Sequence, residues 1–86
     1  GLVVEVRTLA GAPAAEGATA EADGEETVVQ LERRNELTFV GVDQPGTYRL
    51  TVTKPGYLPA VEEGIRVTGD GCDVETTTVL INLLPE

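Results

Sequence analysis

The chain has 86 residues, with no His, Met or Trp, one Cys, and 15 acidic against 6 basic residues for a formal net charge of −9. A chain of that length supports one small domain that buries roughly 60–65% of the surface it exposes when unfolded. The charge argues against nucleic acid or an anionic membrane as partner, since both are polyanions, and the missing His removes the commonest general base and zinc ligand.

Leu2, Val4 and Val6 alternate with Val3, Glu5 and Arg7, the period-two pattern of a half-buried strand. Ala10-Gly11-Ala12-Pro13 ends that strand. The stretch 14–26 is rich in Ala and Glu, but Gly17 and Gly24 interrupt it and its small apolar residues lack a 3.6 period. It is predicted as a loop followed by a short strand over Ala18–Ala22. Asp23-Gly24-Glu25-Glu26 then marks a hairpin into a third run, Thr27–Leu31. Arg33-Arg34-Asn35 separates this run from the next, where Leu37, Phe39 and Gly41 alternate with Thr38, Val40 and Val42.

Asp43-Gln44-Pro45-Gly46 suits a type II turn in which Pro45 sets φ and Gly46 supplies a positive φ. The clearest strand follows, with Tyr48, Leu50 and Val52 on one face and Thr47, Arg49, Thr51 and Thr53 on the other. Lys54-Pro55-Gly56 closes it with the same turn chemistry. A sixth strand covers Val61–Val67, Thr68-Gly69-Asp70-Gly71 turns the chain, and a last strand runs from Asp73 to about Leu84. In that strand Val74 is out of phase with Val79, Ile81 and Leu83, which predicts a bulge near Thr76–Thr78 or a change of covered face. Seven short strands with frequent turns and no helix describe an all-β, seven-stranded antiparallel Greek-key sandwich spanning residues 1–86.

No run approaches the ~20 apolar residues of a membrane-spanning helix. Gly1-Leu2-Val3-Val4-Glu5 has neither a basic n-region nor a cleavage site, so the expectation is no signal peptide here and a chain excised from a longer protein.

The run Val40-Gly41-Val42-Asp43-Gln44-Pro45-Gly46-Thr47-Tyr48-Arg49-Leu50-Thr51-Val52, then Lys54-Pro55-Gly56-Tyr57 and Gly64-Ile65-Arg66-Val67, resembles the carboxypeptidase regulatory-like domain. That family is a prealbumin-like (transthyretin-like), Ig-like sandwich. Leu9-Ala10-Gly11-Ala12-Pro13 stands where the family has its opening turn, and Gly17-Ala18-Thr19-Ala20 where it has the following strand. The tail Thr68-Gly69-Asp70-Gly71-Cys72-Asp73-Val74 is similar to the version found in bacterial exported proteins and lipoproteins. Those relatives often carry further cysteines earlier in the domain, which this chain lacks. The resemblance implies an extracytoplasmic location, in the periplasm or at the cell surface. It specifies turns and core periodicity, and with them a fold more than an activity.

Cys72 is read as an unpaired thiol: a structural Cys, a half of an intermolecular bridge, or a redox or nucleophilic group. Asp70 and Asp73 beside it disfavour a reactive thiolate, and no His exists to activate it. The acidic loops Asp23-Gly24-Glu25-Glu26 and Asp70-Gly71-Cys72-Asp73 each bring only two or three carboxylates, short of the 6–8 oxygens that Ca²⁺ takes. Glu62 and Glu63 are adjacent in a strand and point to opposite faces, so they do not straddle a glycosidic bond. An intramolecular isopeptide crosslink, known in related adhesin domains, needs a Lys on the first strand. Here Lys54 lies in a turn and Arg7 on that strand, so Asn82 has no Lys to meet. Of three aromatic residues, Phe39 and Tyr48 are in core phase. Tyr57 is left as the binding candidate, to be weighed against a role as a lid folded over the sandwich end.

These readings predict no catalytic residues, no metal and no cofactor. The expected function is that of a non-enzymatic accessory domain, a soluble spacer or interaction module of an exported bacterial protein or lipoprotein. The alternative is a binding module for a glycan, a peptide strand or a partner protein, since an unpaired sheet edge accepts a strand. Partners would be a neighbouring domain of the same precursor or another protein, with no nucleic acid and no membrane insertion by this segment, and the chain itself a monomer or weak dimer.

Overall fold

A computed structural model describes residues 1–25, 27–42, 44–69 and 76–86. Among them the elements are β1 (Leu2–Thr8), β2 (Thr19–Asp23), β3 (Val28–Gln30), β4 (Glu32–Arg33), β5 (Thr38–Gly41), β6 (Gly46–Thr53), β7 (Ala60–Val67) and β8 (Thr77–Leu83), with no helix. They form two four-stranded sheets, ordered β4-β5-β1-β8 and β3-β2-β6-β7.

Period-two patterning decides which side chains meet between the sheets. The first sheet turns inward Leu2, Val4 and Val6 of β1, Phe39 of β5, and Ile81 and Leu83 of β8; the second turns inward Ala20 and Ala22 of β2, Tyr48, Leu50 and Val52 of β6, and Ile65 and Val67 of β7. Those inward faces are the expected ones on β1 and β6. No polar or charged side chain is buried among the described residues. The Tyr48 hydroxyl reaches the core boundary and donates to the Gln44 carbonyl at 2.9 Å, which satisfies the polar end of a ring that is otherwise buried.

The all-β sandwich is as expected, but its strand count and pairing differ from the seven-stranded antiparallel reading. Thr27–Leu31 was expected as one run closed by Arg33-Arg34-Asn35. Instead β3 pairs with β2 in the second sheet, and β4 pairs with β5 in the first. Leu31, buried between them, carries the chain across the core from one sheet to the other. Its amide still donates to Ala20 O at 2.9 Å, and Arg33 then joins the opposite sheet. The turn is therefore later, at Asn35, whose side-chain Oδ1 accepts from the amides of Leu37 and Thr38, both at 2.9 Å.

The second departure is that β8 lies parallel to β1, in register from Leu2↔Thr77 to Thr8↔Leu83. The chain reaches β8 from β7 in the other sheet, so no tight hairpin forces an antiparallel partner. The register of Thr77–Leu83 is unbroken, so the expected bulge near Thr76–Thr78 is not found within that strand; Val74 lies outside the described residues.

A bulge occurs instead in β7. Tyr48 faces Ile65 but Leu50 faces Glu62, so an extra residue sits opposite Arg49, and Gly64 adopts φ 71° there. The inserted residue reverses the phase. Ala60 packs against the core on one side of it and Ile65 and Val67 are buried on the other, while Val61 is left exposed.

Of the two Pro-Gly turns expected, one forms as predicted and the other does not. At Lys54-Pro55-Gly56-Tyr57 the type II expectation is realised: Gly56 has φ 86°, and Tyr57 N donates to Lys54 O at 3.1 Å. At the turn before β6 the positive φ expected of Gly46 falls on Val42, at 66°. This rotation takes Val42 out of the alternation that would have placed it with Thr38 and Val40, and buries it. The chain thereby exchanges backbone strain in a β-branched residue for apolar burial.

Candidate functional site

Three places bear on function: the pole at which β6 turns into β7, a cleft beside Tyr48, and the outer edge of β8.

At the first, the Pro-Gly turn lays Tyr57 back over the end of the sandwich, half-buried against the core. The segment is held from below by the end of the chain. Leu58 N donates to Leu84 O at 2.8 Å, Glu86 N donates to Gly56 O at 3.1 Å, and Tyr57 bridges Pro85. The Lys54 ammonium stands 5.6 Å from the centre of the Tyr57 ring and donates to Ala14 O at 3.2 Å. A sugar ring stacked on that face would have to displace the ammonium. Lys54 is thus engaged at this pole, while Asn82 lies exposed on β8 in register with Arg7.

The cleft lies between the β2–β3 connection and the turn before β6, lined by Gly24, Glu25, Thr27, Gln44 and Tyr48. Asp23, which precedes Gly24 at the end of β2, is turned toward Arg49, with 3.9 Å between Oδ2 and Nη2, and Arg49 reaches Glu63 Oε1 on β7 at the same 3.9 Å. These three charges bind β2, β6 and β7 across the wet face of the second sheet. They are exposed and screened, so they contribute little stability. Glu63 is committed to this face and Glu62 is opposite the inward-facing Leu50, so the two adjacent carboxylates diverge as expected. Among the described residues no three His, Cys, Asp or Glu side chains gather as a metal site. Glu26, the loop Asp70-Gly71-Cys72-Asp73 and with it the expected unpaired thiol Cys72 lie outside the described residues.

The edges of the two sheets differ in chemistry. The β7 edge carries Glu62, Glu63 and Arg66 together with the bulge, all of which obstruct pairing with another strand. The β8 edge, Thr77-Thr78-Val79-Leu80-Ile81-Asn82-Leu83, has no charge, Pro, Gly or bulge. In a parallel ladder alternate residues bond one neighbour, and Thr77 N donating to Gly1 O at 2.8 Å sets the phase. Val79, Ile81 and Leu83 therefore turn their backbone groups to β1, while those of Thr78, Leu80 and Asn82 turn outward. The Leu80 side chain is itself exposed, at 56%. Both ends of this edge are tied: Thr77 Oγ1 donates to Arg66 O at 3.1 Å, and Leu84 O accepts from Leu58. Reading the sequence for candidate side chains missed this edge, although the signal is in plain view as a charge-free run from Thr76 to Leu84.

No helix of the described residues is long and apolar enough to cross a membrane. No family model and no curated protein matches the chain.

Proposed function

We propose that this chain is a non-enzymatic accessory domain, a soluble spacer or interaction module of an exported bacterial protein or lipoprotein. We further propose that it is a prealbumin-like Greek-key domain of the carboxypeptidase regulatory-like kind. The turn and core residues around Pro45-Gly46-Thr47-Tyr48 and Pro55-Gly56-Tyr57 support the family, and with it the extracytoplasmic location.

The observation that carries the spacer reading is the parallel pairing of the first and last strands. Leu2 and Thr77 mark one end of the first sheet, and Thr8 and Leu83 the other, so the chain enters β1 at one pole and leaves β8 at the opposite one. Segments attached at the two ends would be held apart by the length of the seven-pair β1–β8 ladder, roughly 20 Å at about 3.3 Å per residue. The interior, filled by Val, Leu, Ile and Ala together with Phe39 and Tyr48, supports a structural role in place of a ligand cavity.

A second reading, a binding module that takes an extended peptide by strand addition, is favoured by the uncharged β8 edge. Screening the folded domain against glycan and peptide arrays tests both. Saturation without signal is the spacer outcome; a peptide bound at micromolar affinity and lost in Leu80→Lys would replace it with the binding module.

A further inference from the structure

We propose that the β1–β8 ladder is a shear clamp, which makes the domain a link that resists tension between its two ends; the biological use of that property rests on the spacer reading above.

The argument follows from strand direction. β1 and β8 are parallel neighbours with seven residue pairs in unbroken register, and Thr77 N donating to Gly1 O at 2.8 Å is the rung that closes the first of them. A pull on Gly1 acts at the Leu2 end of β1, and a pull on Glu86 acts at the Leu83 end of β8. The two forces run along the strands in opposite directions, so β1 and β8 are driven to slide past one another. Every hydrogen bond of the ladder then carries load at the same time, and none opens before the others. Had the two strands been antiparallel neighbours, both ends would emerge at one pole and the same pull would open the ladder one bond at a time.

Packing reinforces the ladder. Sliding would drag Leu2, Val4 and Val6 of β1 past Ile81 and Leu83 of β8, all buried in the same core. β1 cannot follow β8, because its other side is held antiparallel to β5 from Leu2↔Gly41 to Glu5↔Thr38. The chain end adds a smaller clasp, since Leu84 and Glu86 are bonded to Leu58 and Gly56. Resistance to a pull is set by the barrier to unfolding along the pulling direction, and so depends on where force enters as well as on stability.

Single-molecule pulling of the whole chain tests this. Two proteins are compared in a Cys72→Ser background that leaves the attachment thiols unique. In one, cysteines are added before Gly1 and after Glu86; in the other, the cysteine before Gly1 is kept and Thr76→Cys supplies the second handle. Thr76 is exposed and adjoins the start of β8, so the second geometry peels β8 from β1 at the Leu2–Thr77 corner. Thermal melting checks that both proteins are equally folded before they are pulled. At equal loading rate the end-to-end pull should need a several-fold higher unfolding force than the peeling pull. Equal forces, or a weaker end-to-end pull, would overturn the clamp. That result would leave the spacer reading intact, which falls separately, to a ligand found on the arrays.

Discussion

Leu31 fills the space that a side chain at Gly41 would need: a Cβ at Gly41 would lie 2.6 Å from Leu31 Cδ2. Leu31 is the residue that carries the chain between sheets, and Gly41 ends β5 beside it, so a side chain at Gly41 would force the Leu31 side chain out of its place in the core. Gly41→Ala should destabilise the fold by about 1–3 kcal/mol through overpacking, read by urea denaturation. In the double variant with Leu31→Ala the loss should be smaller than the sum of the two single losses, because each substitution relieves the other's defect. Strict additivity would mean that the two residues do not compete for this space.

Val42 and Val52 are both buried valines, but Val42 alone has a positive φ. Each loses comparable apolar burial on replacement by Gly, whereas strain is released only at Val42. Val52→Gly should therefore cost about 1–2 kcal/mol more than Val42→Gly, the penalty of the left-handed region for a residue with a Cβ. Equal losses in chemical denaturation would show that Val42 carries no such strain.

Gly64, at φ 71°, has no atom within 4 Å of the position a Cβ would take. A side chain there meets open space, so any cost of Gly64→Ala is conformational. The left-handed penalty, offset in part by the lower entropy of the unfolded chain, should leave a net loss of about 1 kcal/mol. An unchanged melting temperature would argue that the bulge can be rebuilt without a left-handed residue.

The exposed Leu80 sits on the uncharged edge, with its backbone groups directed away from β1. Leu80→Lys should leave stability within about 0.5 kcal/mol, while lowering any concentration-dependent association seen by analytical ultracentrifugation, because a charge on an edge opposes strand pairing. Association that persists unchanged would place the contact elsewhere.

Lys54 and Tyr57 should be coupled by about 0.5–1 kcal/mol in a double-mutant cycle with Lys54→Met and Tyr57→Leu. A coupling of zero would mean that the ammonium is held by Ala14 O alone.

The residue pattern by itself determined the all-β class and part of the core. Alternation on β1 and β6 named the inward faces, Pro55-Gly56 named its turn, and the missing 3.6 period in the Ala-rich stretch excluded a helix. These are local properties, set by the two-residue period of a strand and by the φ that Pro and Gly permit. The candidate site was less legible. Tyr57 could be singled out as an aromatic outside the core phase, but Lys54 over its ring and the chain end beneath it are contacts between distant segments. Tertiary structure alone decided that Leu31 would split one run between two sheets, that the positive φ would fall on Val42, and that Gly64 would reverse the phase of β7. It also decided that the first and last strands would lie side by side and parallel. Alternation gives a strand an inside and an outside but no neighbour and no direction; those follow from how two sheets close over one small core.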